Sequence, residues 1–153
     1  MRLRALGVVV ALGALACGGE KKPDQTQSQT PAAQPAATQP AGPVVEVKMT
    51  GNGSTQAAYV PNTLTIAPGT TVRFINVSGG PHNVAFYGDS IPSGAAAALN
   101  AGMANRMDNL SGPFLTTANE NYDVSFAGAP TGTYKSYCLP HVALGMKLTI
   151  TVK

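Results

Sequence analysis

The sequence predicts an all-β protein whose folded part is a sandwich of two β-sheets. From Val44 onward, short runs rich in β-branched and aromatic residues alternate with turn signals, which is typical of such domains. Six to eight strands fit into the roughly 110 residues that follow, as expected for a Greek-key β-sandwich. The chain before Val44 has no such alternation and is expected to lie outside the sandwich.

Alternation of apolar and polar residues identifies the individual strands. The stretch NTLTIAPGTTVRFINVSGG places Leu64 and Ile66 on one face of a strand and, after a Pro-Gly turn, Val72 and Phe74 on one face of the next. The pattern recurs in VVEVKMT, HNVAF, YDVSF, GTYKSYC and MKLTITVK. The Ala-rich stretch at residues 94–105 is the exception and predicts a short helix, although a glycine weakens it.

The N-terminus has the features of an export signal. MRLRALGVVVALGALAC begins with basic residues and continues with an apolar run too short to cross a bilayer comfortably, so residues 1–16 are interpreted as a signal peptide. An uncleaved membrane anchor is the alternative. The closing ALAC resembles the lipobox of bacterial lipoproteins, which implies lipidation of Cys17; an ordinary thiol near an ordinary cleavage site is the other interpretation. We therefore expect an exported, membrane-anchored lipoprotein, in the periplasm or on the outer cell face.

Residues 17–43 form a predicted linker between this anchor and the folded domain. They are rich in Gln, Thr, Pro and Ala and contain no aromatic residue, so they cannot bury enough apolar surface to fold. A flexible coil of this length spans about 25 to 30 Å on average. The linker is thus expected to be disordered, and residues 44–153 to form the domain.

Net charge argues against a nucleic-acid-binding protein, and cysteine content argues against a protein stabilised by disulfide bonds. The formal net charge is +3, and loss of Arg2 and Arg4 with the leader would leave about +1, too little for a phosphate-binding surface. Nucleic acid is therefore not expected as a partner. If Cys17 carries lipid, Cys138 has no partner for a disulfide within the chain. A lone thiol in an oxidising compartment is expected either to be shielded from oxidation or to have a functional role.

Four possible metal ligands fall at strand ends. YCLPHVALGM contains Cys138, His141 and Met146 in the spacing C-x-x-H-x-x-x-x-M, so that one hairpin loop can present all three. His82, the other histidine, begins HNVAF after a Gly-Gly-Pro turn. Two imidazoles, a thiolate and a weakly bound thioether are the ligands of a blue-copper electron-transfer site. We therefore predict one copper ion, cycling between Cu(I) and Cu(II), at these residues.

The same motifs resemble those of the cupredoxins, and of plastocyanin-like proteins in particular. PHNVAF at residues 81–86 and YCLPHVALGM at residues 137–146 carry the resemblance, which covers about residues 44–153. It implies a cupredoxin Greek-key sandwich, a type 1 copper site and a blue copper electron-transfer protein rather than an enzyme. It further implies that Asn83 supports the Cys loop by hydrogen bonding, with Pro140 also beside the ligands, and that His141 exposes its ring edge as the electron port.

Two surfaces are candidates for contact with redox partners. The residues around His141, including Pro140 and Leu144, carry no charge, which favours transient docking. Tyr137, next to the cysteine, is by resemblance a docking or tunnelling residue, or else an outward-facing strand aromatic. The expected partners are proteins of the cytochrome, oxidase or reductase type, which a monomer contacts briefly.

The sequence leaves one main alternative to electron transfer and disfavours two others. A copper carrier or storage protein without a redox role is the main one, although carriers usually have open sites that release the metal. A nucleophilic Cys–His pair is disfavoured because both residues sit on a tight hairpin without an evident orienting acid. Structural zinc is disfavoured because zinc sites rarely include methionine.

Overall fold

The computed structural model describes residues 42–153 and shows two four-stranded β-sheets. The first sheet has the order β2-β1-β4-β6 and comprises β1 (Val44–Gly51), β2 (Ala57–Val60), β4 (Thr71–Asn76) and β6 (Asn121–Ser125). The second has the order β3-β8-β7-β5 and comprises β3 (Thr63–Ile66), β5 (Ala85–Phe86), β7 (Gly132–Tyr137) and β8 (Lys147–Val152). The predicted β-sandwich is confirmed. The leader, Cys17 and nearly all of the linker lie outside the described residues.

The chain alternates between the two sheets. After β2 in the first sheet, the chain crosses to the second sheet for β3 and returns to the first for β4. β1 pairs in parallel with β4, and β3 pairs in parallel with β8. The other strand pairs are antiparallel. β7 and β8 form the hairpin that carries the Cys/His/Met motif, and Tyr137 lies opposite Lys147 at the end of the hairpin from which the connecting loop starts.

The core lies between the sheets and is built from the inward face of each strand. Val72 and Phe74 on β4 are completely buried, and Leu148, Ile150 and Val152 on β8 are at most 1% exposed. This matches the predicted period of two. Each such side chain stabilises the fold by about 1.5–3 kcal/mol when it is removed from water. The ligand-bearing hairpin is therefore attached to the core along the whole of β8.

The predicted helix is present as α1 (Ala95–Gly102). Ala95 and Leu99, four residues apart, are both completely buried. Gly102 lowers helix propensity, yet a Cβ at this position would overlap the Ser125 carbonyl oxygen, so the glycine allows the helix to approach β6 closely. No helix within residues 42–153 is long and apolar enough to span a membrane.

The segment HNVAF is less regular than its sequence predicts. Only Ala85 and Phe86 form β5, because β7 ends at Tyr137, which pairs with Ala85, and leaves residues 82–84 without a strand partner on that side. On the other side, His82 pairs with Leu115: their backbone N–H groups and carbonyls are joined at 3.0 and 2.7 Å. The segment that contains His82 is thus held by the chain before β6.

Candidate metal centre

Three side chains with metal-binding donor atoms converge at one end of the sandwich. Their donor atoms all lie within 4.8 Å of one another, and they belong to His82, Cys138 and His141. Cys138 follows β7 directly, and His141 lies at a kink (φ -117°, ψ 15°) within the 3-10 helical segment Leu139–Leu144. His82 and Cys138 are completely buried, whereas His141 is 6% exposed.

The separations of the three donor atoms fit a single metal ion. The Nδ1 atoms of His82 and His141 are 3.1 Å apart, and the Cys138 Sγ lies 3.6 Å from the first and 3.5 Å from the second. A point equidistant from the corners of this triangle lies about 2.0 Å from each, close to the roughly 2.0–2.1 Å of zinc–imidazole bonds and slightly short of the roughly 2.3 Å of a zinc–thiolate bond. The donor set therefore matches a trigonal metal site.

A backbone carbonyl sets the tautomer of His82. The Nε2 atom lies 2.9 Å from the Ser78 carbonyl oxygen, and because a carbonyl can only accept, Nε2 carries the proton and donates. Nδ1 is then unprotonated, and its lone pair faces the site. Every residue has a backbone carbonyl, so the sequence could not predict that the carbonyl of Ser78 has this role.

His141 is also favoured in its neutral form. Burial, and then the neighbouring His82, lower the pKa of His141, so the imidazole is available as a ligand at neutral pH. The Nε2 atom of His141 has no hydrogen-bond partner among the described residues. It is also not one of their fully buried polar atoms that lack a partner, so this edge of the ring lies at the surface. The ring thus connects the buried site to solvent.

The Cys138 sulfur lies in an apolar setting with nearby N–H donors. Burial raises the pKa of the thiol, and backbone N–H groups of Asn83 and His141 partly offset this. The Asn83 N–H lies 3.4 Å from Sγ. Without metal the thiol therefore stays protonated at neutral pH, and binding of a metal ion releases that proton.

Met146 closes the loop that carries two of these donors. We call residues 138–146 the ligand loop. The Cys138 N–H donates to the Met146 carbonyl at 3.1 Å, and the Met146 N–H donates to the His141 carbonyl at 3.3 Å. Gly145 has φ 80°, a left-handed conformation that glycine adopts without strain and that ends the 3-10 helix. The Met146 side chain is completely buried and belongs to the same core cluster as Cys138.

Comparison with known families identifies the metal. A family profile described as copper binding proteins, plastocyanin/azurin family, matches residues 45–153. The chain belongs to this family. Together with the convergence of His82, Cys138 and His141, and with Met146 on the same loop, this confirms the prediction of a type 1 copper site.

Plastocyanins are among the most similar relatives. The chain is 40% identical to plastocyanin from Scenedesmus fuscus over 109 residues, which are 71% of this chain and 99% of that protein. It is also 40% identical to plastocyanin from Capsella bursa-pastoris over 102 residues, or 67% of this chain and 94% of the relative. The solved structure of oxidised plastocyanin from the fern Dryopteris crassirhizoma has a TM-score of 0.54, with 29% identity, and covers 71% of this chain and 100% of its own. The chain is thus a plastocyanin-like cupredoxin.

In this cupredoxin, Asn83 links the two ligand-bearing segments. Its Oδ1 accepts a hydrogen bond from the Leu139 N–H at 2.8 Å, at the start of the 3-10 helix. Its Nδ2 lies 3.4 Å from both the Ser111 hydroxyl and the Gly112 carbonyl. The His82 segment, the ligand loop and the chain before β6 are therefore held together by one buried side chain. Pro140, in the first turn of the 3-10 helix, is exposed.

The surface around His141 is apolar. Leu139, Val142 and Leu144 are 47%, 38% and 38% exposed, although large apolar side chains are usually buried. We call these three residues the apolar patch. Leu144 of this patch also lines a neighbouring polar groove. No charged residue lies within the ligand loop.

Tyr137 lies on another surface, the outer face of the second sheet. Its ring stacks on that of Tyr87, with centroids 4.4 Å apart and an angle of 33° between the planes. Lys147 is its cross-strand neighbour, and Lys135 lies two residues earlier on the same face. Tyr137 is half-buried, so it combines contact with the sheet and access to solvent.

Proposed function

We propose that the protein is a blue copper electron carrier rather than an enzyme, with one copper ion held by His82, Cys138, His141 and Met146. The observation that carries the proposal is the convergence of two imidazole nitrogens and one thiol sulfur at a buried point. When bound, copper supplies reversible one-electron chemistry, because soft sulfur and borderline imidazole ligands suit both of its oxidation states.

The protein contributes a site whose ligands are oriented by groups outside the ligand set. Hydrogen bonds with Ser78 and Asn83 orient the His82 ring, the ligand loop and the Cys138 sulfur. Ligands held in this way move little when the charge of the metal changes, which favours fast electron transfer. The ligand loop is tied at both ends, which argues against the alternative of a copper carrier that must release its metal.

Voltammetry together with metal retention distinguishes the two functions. An electron carrier should give a reversible one-electron wave and lose copper slowly to a strong chelator. A carrier or storage protein should release copper quickly and show no reversible wave. The second result would overturn the proposed function.

The apolar patch is the proposed docking surface for redox partners. Its residues flank His141 in sequence, and His141 is the one donor residue of the described cluster with any exposed surface; the loop also lacks the charges that would hold a partner tightly. Small apolar contacts suit brief encounters with proteins of the cytochrome, oxidase or reductase type. Tyr137, adjacent to Cys138 and stacked on Tyr87, is the second proposed contact. The protein is proposed to act as a monomer.

We further propose that lipid on Cys17 tethers the exported protein to a membrane, in the periplasm or on the outer cell face. The support is the order of segments: a basic and apolar leader, ALAC, and a Gln/Pro/Ala-rich linker before the copper domain. Two or more acyl chains bind a membrane far more stably than one. Confinement then raises the frequency of encounter with membrane partners without a tight complex.

Cys17→Ser tests the tether. In a bacterium that processes lipoproteins, the unaltered protein should fractionate with membranes, whereas Cys17→Ser should not be lipidated and should leave the membrane fraction. Mass spectrometry of the mature N-terminus checks the modification. An unmodified, wholly soluble wild-type protein would contradict the anchor while leaving the copper site untouched.

Met146→Leu tests the role of the fourth ligand. Leucine has a similar volume, so the buried position should remain filled at small cost in stability. Because a thioether would be the weakest of the four ligands, the variant should keep the metal while its reduction potential rises. Potentiometry and copper analysis check this outcome. Complete loss of copper would show instead that the thioether holds the metal.

A further inference from the structure

The hydroxyl of Tyr59 lies inside the sandwich and bonds the backbone beside the metal centre. Tyr59 is on β2 in the first sheet and is 2% exposed. Its hydroxyl donates to the Asn83 carbonyl at 2.7 Å. Asn83 precedes β5 of the second sheet, so this bond connects the two sheets. The Tyr59 ring is itself held edge-on against Phe74, with centroids 5.9 Å apart and planes at 72°.

The Asn83 carbonyl oxygen relies on the Tyr59 hydroxyl as its hydrogen-bond donor. The carbonyls on either side of it, those of His82 and Val84, accept backbone N–H groups from residues 110–115. In the described part of the chain, only the Tyr59 hydroxyl donates to the carbonyl between them. Buried backbone carbonyls are nearly always paired. Position 59 therefore supplies a hydrogen-bond donor as well as an aromatic ring.

Asn83 in turn contacts the ligand loop. Its backbone N–H points to the Cys138 sulfur at 3.4 Å, and its Oδ1 accepts the Leu139 N–H at 2.8 Å. Hydrogen bonds to the cysteine sulfur are one of the factors that set the potential of a blue copper site. We propose that Tyr59 is a positioning residue for the copper centre: it holds the Asn83 backbone so that the N–H stays directed at Cys138. This inference rests on the proposed function.

This role of Tyr59 predicts the direction in which the reduction potential of the copper centre changes when the hydroxyl is removed. An N–H donor withdraws electron density from the thiolate, which weakens thiolate donation to copper and favours the reduced state. Tyr59→Phe keeps the ring and removes only the hydroxyl, so the Asn83 backbone should become more mobile and its N–H···S contact weaker. The potential should then fall, and the thiolate-to-copper band should shift in energy.

Tyr134→Phe is a matched control. Tyr134 is also completely buried, and its hydroxyl also donates to a backbone carbonyl, that of Pro130. The Tyr134 hydroxyl bonds neither the ligand loop nor Asn83. Both variants lose one buried tyrosine hydroxyl, so both should lose stability. Only Tyr59→Phe should alter the copper centre.

The experiment compares both variants with the full wild-type chain, with and without copper. In the copper form, Tyr59→Phe should lower the potential and shift the visible band, while Tyr134→Phe leaves both at wild-type values. In the metal-free form, hydrogen exchange at the Asn83 amide should be roughly tenfold faster in Tyr59→Phe than in Tyr134→Phe, the factor expected for loss of one hydrogen bond.

Two results would overturn the role of Tyr59. One is a Tyr59→Phe protein with the wild-type potential and band; the other is equal Asn83 exchange in the two variants. If the wild type bound no copper, the proposed function would fail, and the exchange of the Asn83 amide would still decide whether Tyr59 positions this residue.

Discussion

The Cys138→Ser protein is expected to lose the visible colour of the copper form completely and most of its affinity for copper. The Cys138 sulfur lies 3.6 and 3.5 Å from the Nδ1 atoms of His82 and His141, so it occupies one corner of the donor triangle. The blue colour of such sites arises from charge transfer between a thiolate and Cu(II). A serine hydroxyl is neither ionised at neutral pH nor soft, so it cannot replace that donor.

The chain offers a matched control for this substitution. Cys17→Ser removes the only other cysteine and should leave the colour unchanged. Serine is close in size to cysteine, so both metal-free variants should fold, which circular dichroism and thermal melting can check. An intensely blue Cys138→Ser protein would refute the ligand assignment.

Asn83→Ala should cause the second large effect, a loss of both stability and metal retention. Removal of the side chain leaves the Leu139 N–H without its 2.8 Å acceptor and frees the ligand loop from the His82 segment. A lost acceptor of this kind costs about 2 kcal/mol. For a domain of this size the melting temperature of the metal-free protein should fall by roughly 10 °C. Copper should also be lost to a chelator faster than from the wild type.

Asn109→Ala is the control for Asn83→Ala. Asn109 also accepts a side-chain hydrogen bond, from Asn100, but it is exposed and distant in sequence from both ligand motifs. Its replacement should change stability little and copper retention not at all. Equal behaviour of the two variants would show that Asn83 has no special role in joining the ligand segments.

The ligand set could be predicted from the sequence because each motif is local. The spacing from Cys138 to Met146 is compatible with a single hairpin loop, and the alternation in MKLTITVK fixes which residues of β8 point inward. The same period predicted most strands, and the Ala-rich composition of residues 94–105 predicted the helix. Such patterns require only the residues of one element, so they can be recognised in a single chain.

The surroundings of the ligands could not be predicted in the same way, because they depend on contacts between distant parts of the chain. His82 pairs with Leu115 through backbone atoms, and its ring is oriented by the Ser78 carbonyl, neither of which depends on a particular side chain. Tyr59 reads as an ordinary inward-facing aromatic on β2, and only the fold brings its hydroxyl to Asn83. The irregular backbone at residues 82–84 likewise follows from where β7 ends.

Titration of the metal-free wild-type protein with Cu(II), followed by visible absorbance, tests the central claim most directly. An intense charge-transfer band should grow linearly and reach its maximum at one copper per chain, in keeping with the single cluster of His82, Cys138 and His141 in the described residues. The band should vanish on one-electron reduction and return on reoxidation. A titration that produces no intense visible band, or saturates at a different stoichiometry, would contradict the assignment of a blue copper site.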